Sequence, residues 1–362
     1  MIPVLHLRQG TALYGADRAV LALSASTPQP YLPIVGAIGR PGTPGALAEE
    51  ARRRGLPAVR FESRSRFDVR CARAVAELSR DRGVRLLHAH DFKSLFVALL
   101  AGRMARVPVV ATFHGDTCST VAVRLYEAVA RILGNFTRGV AAVSRALERR
   151  LRRWVRAAPV AFVPNGLPAA PPISPLEQAE ARARLGIGRE AYVVALIGRL
   201  APEKGHRILF EAARGLDATL LIAGDGPLRD GLREAARGLD ARFLGYLEEA
   251  RDVFAAADVI ALPSLTEGLP LTALEALARG RCLVASAVGE LPELLSGGAG
   301  VLVPRDDPSA LADALQKLRD GATREAIERR ARERAAGYGV AAMAGAYASL
   351  YGRALSGSRS SR

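Results

Sequence analysis

Short apolar runs recur along the chain, separated by longer stretches whose apolar positions fall three and four residues apart. In the first half the runs are Val4 to Leu7, Pro33 to Ile38, Ala58 to Phe61, Leu86 to His90, Val109 to His114, Val140 to Ser144 and Val160 to Val163. The second half repeats the scheme with Tyr192 to Ile197, Leu220 to Ala223, Ala241 to Leu244, Val259 to Pro263, Leu283 to Ser286 and Gly300 to Val303. Runs of this length suit buried strands, and the Ala-, Leu- and Arg-rich stretches between them suit helices. Parallel neighbours need crossovers of about a dozen residues or more, which those stretches supply, so each half predicts a doubly wound parallel sheet. The fold class is α/β with two Rossmann-like domains.

Prolines 164, 168, 171, 172 and 175 crowd one segment, a density that neither a helix nor an interior strand tolerates. The boundaries that follow are an N-terminal domain over 1–168, a linker and lead-in segment over 169–190, and a C-terminal domain over 191–338. A last helical stretch at about 340–355 carries Met343, Tyr347, Leu350 and Tyr351 at spacings of three and four. One face must therefore pack, and either domain, the N-terminal one included, offers a partner. The Ser- and Arg-rich tail over 356–362 reads as disordered.

Composition adds limits. With 362 residues the chain exceeds the roughly 250 to 300 at which single cores stop growing. At 49% apolar and 24% charged residues it is an ordinary globular sequence. No basic leader with an apolar core precedes the first strand, and the most apolar long stretch, Leu95 to Thr112, is broken by Arg103 and Arg106. Cys71, Cys118 and Cys282 share no metal-ligand spacing. The expected location is the cytoplasm, with peripheral contact at the inner face of the cell membrane a further possibility. The net charge of +15, from 51 Lys and Arg against 36 Asp and Glu, attracts polyanions, anionic lipids or phosphorylated ligands without choosing among them.

The densest candidate chemistry follows the run Val259 to Pro263, where Leu265-Thr266-Glu267-Gly268-Leu269-Pro270 leads into a helical LTALEALARG. Pro270 suits a first helical position, which leaves neighbouring amides to point at an anion or a ring of hydroxyls. Glu275 falls on the stripe Leu271, Leu274 and Ala278, where a carboxylate needs a partner. A second constellation, Gly198-Arg199-Leu200-Ala201-Pro202-Glu203-Lys204-Gly205, also sits between strand and helix. Arg199 offers a fork for two phosphate oxygens and Lys204 a point charge, a clamp that needs no metal. A third, Ile222-Ala223-Gly224-Asp225-Gly226-Pro227, is good turn chemistry anywhere.

Taken in order and spacing, GRLAPEKG, IAGDGP, FLGY and ADVIALPSLTEGLPLTALEALARG resemble the C-terminal half of the family-four retaining glycosyltransferases (glycosyl transferases group 1) of the GT-B fold. Upstream, YGADRAVL, LLHAHD, ATFHG, VAAVSRAL and VPNG extend the resemblance over nearly the whole chain. It implies two Rossmann-like domains facing a central cleft and transfer of a sugar from a nucleotide diphosphate donor to a sugar or lipid-linked acceptor. It also implies no cofactor. By the same resemblance Arg199 and Lys204 hold the donor diphosphate, Glu275 the ribose, and Glu267 with the backbone of Gly268, Leu269, Pro270 and Leu271 the donor sugar. His114 matches a histidine that reaches that sugar, Gly15 a loop glycine near the phosphates, and Asp225 and Gly245 belong to the donor-binding set. The first loop departs from the pattern, with Tyr14-Gly15-Ala16-Asp17 where the family commonly has two glycines and a Glu. Gly289-Glu290 likewise replaces a more usual Gly-Gly.

Other features point less sharply. His88 and His90 with Asp91 suggest a metal pair, but no further ligand is near in sequence, and no metal is expected. His6 reads as a packing or cleft residue. Arg145 to Arg156, RALERRLRRWVR, places Leu147, Leu151, Trp154 and Val155 on one stripe amid arginines. Such a helix rests on an anionic membrane or packs its stripe on the sheet. A nicotinamide-dependent oxidoreductase is excluded because Arg229 stands where the third glycine of G-x-G-x-x-G belongs, and no P-loop occurs. A nucleic-acid binder rests on charge alone, and no nucleic-acid partner is expected. Epimerases and phosphorylases of the same two-domain form remain the alternative within the fold.

Overall fold

A computed structural model describes residues 1–10, 13–65, 67–115 and 121–356, without the side chains of 121–124. Cys118 and residues 357–362 of the tail lie outside the described residues. The chain divides into two compact units, Met1–Pro168 with Gly339–Arg362, and Ala169–Tyr338.

The first unit holds β1 (Ile2–Gln9), β2 (Tyr31–Gly39), β3 (Ala58–Glu62), β4 (Leu86–Ala89), β5 (Val109–Phe113), β6 (Gly139–Ala142) and β7 (Val160–Phe162). They form one parallel sheet in the order β3-β2-β1-β4-β5-β6-β7. The second holds β8 (Val193–Ile197), β9 (Thr219–Ala223), β10 (Ala241–Gly245), β11 (Val259–Leu262), β12 (Cys282–Ser286) and β13 (Val301–Val303). Its parallel order is β10-β9-β8-β11-β12-β13. Each of the thirteen apolar runs contains a strand; the interior ones are buried on both faces, while the edge strand β13 leaves Leu302 exposed. The order reverses between β1 and β4 in one sheet and between β8 and β11 in the other. In open α/β sheets ligands bind beyond the carboxyl ends of the strands at such a switch point.

Helices start where side chains satisfy their first amides. Asp91 accepts from Ser94 N at 2.8 Å and Ser144 from Leu147 N at 3.1 Å. In the proline-rich segment, Ser174 and Glu177 form a capping box around Pro175, so residues of the lead-in make the helix Pro175–Arg184. The helix Val340–Ser356 buries Met343, Tyr347, Leu350 and Tyr351 against Val4, Leu86, Val110 and Ala141 of the first sheet. A bridge between Leu167 and Gly339 joins the places where the chain leaves and re-enters this unit. Cys71 and Cys282 are buried free thiols whose pKa values burial pushes up to about 11 and about 12.

The arginine-rich stretch forms the helix Arg145–Trp154, and its stripe packs inward. Leu147, Leu151 and Val155 join Val140, Ala142 and Val160 in one buried cluster, so they are not available to a membrane. Trp154 leaves that stripe and is 46% exposed. Among the described residues no helix is long and apolar enough to cross a membrane.

Candidate active site

In the second unit the loops after β8 and β11 emerge side by side at the switch point. Gly198 to Gly205 forms a tight turn in which Gly205 has φ of +67° and a Cβ there would lie 1.9 Å from the Pro263 carbonyl oxygen. Only glycine lets the two loops approach so closely. Leu265 N donates to Glu203 O at 2.8 Å and Thr272 Oγ1 to Ile197 O at 3.3 Å, which fastens the loops together.

The charged side chains complete the join. Lys204 Nζ donates to Glu267 Oε1 at 2.6 Å, and Ser264 Oγ donates to the same oxygen at 2.8 Å. Arg199 is ion-paired with Glu203, whose side chain is nearly buried. Arg199 and Lys204 are therefore not a bare positive clamp: each is held by a carboxylate, and the four charges sum to zero. Holding a long cation in one geometry spends its rotamer entropy in advance of a ligand, so an incoming anion meets a preset donor.

Pro270 stands at the N-cap, one residue before the helix Leu271–Ala278, rather than at its first position. Its carbonyl accepts from Ala273 N at 3.1 Å. The amides of Leu271 and Thr272 come before the first intrahelical donor, at the end of a segment in which Gly268 and Leu269 are buried. Glu275 is not on the core-facing stripe. Ala273, Leu274, Ala276 and Leu277 are buried while Ala278 is not, and Glu275 is part-exposed and paired with Arg279 at 3.0 Å.

Asp225 presents a half-exposed carboxylate that caps Gly226 N at 2.8 Å, and its carbonyl accepts from Leu200 N at 3.0 Å. Gly245 O accepts from Gly224 N at 2.7 Å, so the ends of β8, β9 and β10 are linked in turn. Glu203 and Ser264 are site residues that sequence reasoning did not single out. The spacing of Arg199 and Glu203 was the one available signal for the first, and nothing local marks the second.

In the first unit the switch point gathers histidines. His6 of β1 lies in register with His88 of β4, and His90 and His114 follow β4 and β5. His6 Nδ1 contacts His90 Nε2 at 3.1 Å and His90 Nδ1 contacts His114 Nε2 at 3.3 Å. His88 is bonded on both sides, to Tyr351 Oη at 2.8 Å and Thr112 Oγ1 at 2.7 Å. Parallel pairing thus supplies the third imidazole that the sequence lacked nearby, and ligand atoms of His6, His88 and His90 all lie within 4.8 Å of one another. Asp91 takes no part in that group, because it caps the helix Phe92–Ala105 and accepts from Gln9 N at 2.7 Å. Burial pushes His6 and His114 down to about 3 and holds His88 and His90 well below the ordinary imidazole range.

At the start of the first helix, Tyr14 and Asp17 are held in place. Asp17 is buried, accepts from Arg8 Nε at 2.6 Å and from Tyr14 N at 3.0 Å, and burial outweighs Arg8 in raising its pKa. Arg8 also donates to His90 O at 3.1 Å. Gly15 opens the helix Gly15–Ser26, and a Cβ there would meet nothing within 4 Å.

A family model described as Glycosyl transferases group 1 matches residues 191–320, and one described as Glycosyltransferase Family 4 matches residues 34–170. The phosphatidyl-myo-inositol mannosyltransferase of Mycolicibacterium smegmatis is 30% identical over 341 residues, covering 89% of this chain and 83% of that protein. The chain belongs to glycosyltransferase family 4. A second member, the 2-deoxystreptamine N-acetyl-D-glucosaminyltransferase of Streptomyces fradiae, is 33% identical over 339 residues, 83% of this glycosyltransferase and 78% of its own length. The crystal structure of Anabaena HepE in complex with UDP and glucose superposes with a TM-score of 0.85 at 22% identity, over 97% of this glycosyltransferase and 100% of that chain. Sucrose-phosphate synthase from Thermosynechococcus elongatus gives 0.78 at 22% identity, over 99% and 100%. These likenesses establish the GT-B architecture of two Rossmann-like parallel-sheet domains.

Proposed function

We propose that this glycosyltransferase moves a hexosyl group from a nucleotide diphosphate sugar to a lipid-linked or otherwise membrane-borne acceptor, with retention of anomeric configuration and without a metal or other cofactor, in cell-surface glycolipid or polysaccharide synthesis. The observation that carries this reading is the bonded pair Lys204 and Glu267. It puts a cation, a carboxylate and helix N-terminal amides together at a switch point, where a diphosphate and a sugar ring are both served. Arg199 and Lys204 stabilise the charge that develops on the departing diphosphate, and that phosphate takes the acceptor's proton. Glu267 and the backbone of Gly268 to Leu271 orient the donor sugar and Glu275 the ribose, and His114 is assigned to the sugar by the motif it matches. The relatives that transfer mannose and N-acetylglucosamine, and the HepE complex with UDP and glucose, support a nucleotide-linked hexose donor.

A membrane-borne acceptor is supported by the mannosyltransferase acting, by its name, on a phosphatidylinositol, and by one surface of the first unit. Asn135 donates to Ile132 O at 3.0 Å and Trp154 O at 2.9 Å, which draws together Ile132, Phe136 and Trp154, all exposed apolar side chains. Exposed Arg149, Arg150, Arg153 and Arg156 border them. Apolar side chains within a basic rim suit an anionic leaflet even though the helix stripe itself is buried.

A thermal-shift screen across uridine, guanosine and adenosine diphosphate sugars tests the donor class. The proposal requires one base series to raise the midpoint, and product NMR to show the donor's anomeric configuration preserved. No stabilisation by any nucleotide sugar, or an inverted product, refutes it.

A further inference from the structure

β11 lies between β8 and β12 in the second sheet, so the loop that carries Glu267 is flanked by two others. On the β8 side Gly205 lies against Pro263 O. On the β12 side Gly289 has φ of +62°, and a Cβ there would lie 2.4 Å from Glu267 O and 2.6 Å from Gly268 O. Non-bonded carbon and oxygen do not approach so closely, so conformation and contact each demand glycine at this position. The next amide completes the join, with Glu290 N donating to Gly268 O at 2.9 Å. Together the contact and the bond fix the two peptides that follow Glu267.

The two positions of the Gly289-Glu290 pair do different work. Glu290 has φ of −95° and ψ of −1°, a conformation with negative φ that carries a side chain, and it serves the loop through its amide. That accounts for a glutamate where a second glycine is more usual. No such freedom exists at 289. Every residue of the join lies within Ala169–Tyr338, and the Glu267 side chain that it supports is nearly buried and bonded to Lys204 and Ser264.

We propose that Gly289 is a positioning residue for the donor sugar: by holding the two peptides after Glu267 it sets that carboxylate, and the backbone leading to Leu271, in the geometry that receives the sugar of a nucleotide diphosphate donor. The proposal rests on the reading of Glu267 as the group that orients the sugar. Arg199 and Lys204 belong to the other flanking loop, which Gly205 fixes independently against Pro263. The diphosphate is therefore held without Gly289, and the two parts of the ligand respond differently to its loss.

Titration calorimetry of the full chain with uridine diphosphate glucose, guanosine diphosphate mannose and adenosine diphosphate glucose, each beside its nucleoside diphosphate, separates those parts. In the series that the wild type binds, Gly289→Ala is expected to raise the Kd of the nucleotide sugar about tenfold, the scale of one hydrogen bond. The Kd of the nucleoside diphosphate stays within about threefold. Gly289→Asn brings the same Cβ on a residue that tolerates positive φ, and shows the same selective loss should the alanine variant fail to fold. Gly297 is the matched control, with φ of +70° and nothing within 4 Å of a Cβ, so Gly297→Ala carries the strain without the contact and binds both ligands as the wild type does. Because Gly289 acts through the Glu267 loop, Gly289→Ala combined with Glu267→Gln binds the nucleotide sugar within about threefold of Glu267→Gln alone, where independent sites would multiply. Equal weakening of both ligands, wild-type binding in both Gly289 variants, the same loss in Gly297→Ala, or multiplied effects in the double variant overturns the proposal. If Glu267→Gln leaves the affinity for the nucleotide sugar unchanged, or no series binds, the donor-sugar reading fails and the proposal falls with it.

Discussion

Lys204 and Glu267, 63 positions apart in sequence, meet at 2.6 Å and bind the loop after β8 to the loop after β11. Each is the other's counter-charge in the unliganded protein, so neither can be removed without changing what the other does. Lys204→Ala leaves Glu267 with the Ser264 hydroxyl alone. Turnover is expected to fall about 100- to 1,000-fold, the scale for losing one preorganised donor to developing negative charge. Circular dichroism should show the fold retained, and a turnover within a few-fold of wild type contradicts the assigned role.

If Arg199 and Lys204 neutralise the diphosphate, transfer persists in excess chelator and manganese does not accelerate it. The measurement is initial rate against chelator, with a manganese add-back arm. Loss of activity restored by manganese overturns the metal-free reading.

The exposed side chains Ile132, Phe136 and Trp154 predict binding to vesicles containing anionic lipid and not to neutral ones. Salt and Arg149, Arg150, Arg152 and Arg153→Ser should weaken it, since each basic side chain near an anionic surface contributes about 1 kcal/mol. Trp154→Ala should weaken it with less dependence on salt, because its contribution is apolar. Sedimentation with vesicles decides this, and equal indifference to both compositions favours a soluble acceptor.

All five histidines titrate below the ordinary imidazole range in the folded protein, His206 at about 4 and His6 and His114 at about 3. Below pH about 6.5 the unfolded chain binds more protons than the folded one, so acid draws the equilibrium toward unfolding. Stability is fully present above that pH and is lost as pH falls toward 4, with a slope of roughly 1.4 kcal/mol per pH unit for each histidine that must stay neutral. Urea midpoints measured between pH 7.5 and 4.5 test the sign, and a flat profile contradicts it.

Tyr351 is wholly buried beneath the first sheet and bonds His88 at 2.8 Å. Tyr351→Phe is expected to cost about 1 to 3 kcal/mol by leaving His88 Nδ1 unpaired, and Tyr351→Ala more, through the cavity it opens. Denaturant unfolding monitored on Trp154, the single tryptophan and a residue of the same unit, separates the two. Equal costs would show that the hydroxyl contributes little.

The strands were legible because burial on both faces of a parallel sheet leaves a continuous apolar run, a signal contained in three to nine consecutive residues. The candidate loops were legible for a related reason: Gly205 and its neighbours are demanded by a local turn, and the order of motifs carries the family. What the sequence could not supply is anything set by register between strands. His6 faces His88 only because β1 pairs with β4 in that alignment, which is why a histidine in the first strand read as packing and a third imidazole seemed to be missing. The helix Arg145–Trp154 shows the same limit in energetic form. Periodicity finds the apolar stripe but not the surface that covers it, and the sheet buried Leu147, Leu151 and Val155 while turning Trp154 outward. Charge pairing was the least visible of all. Arg199 and Lys204 read as free cations because Coulomb energy depends on distance in space, and the carboxylates of Glu203 and Glu267 come within bonding reach only when the chain turns at Gly205 against the end of β11.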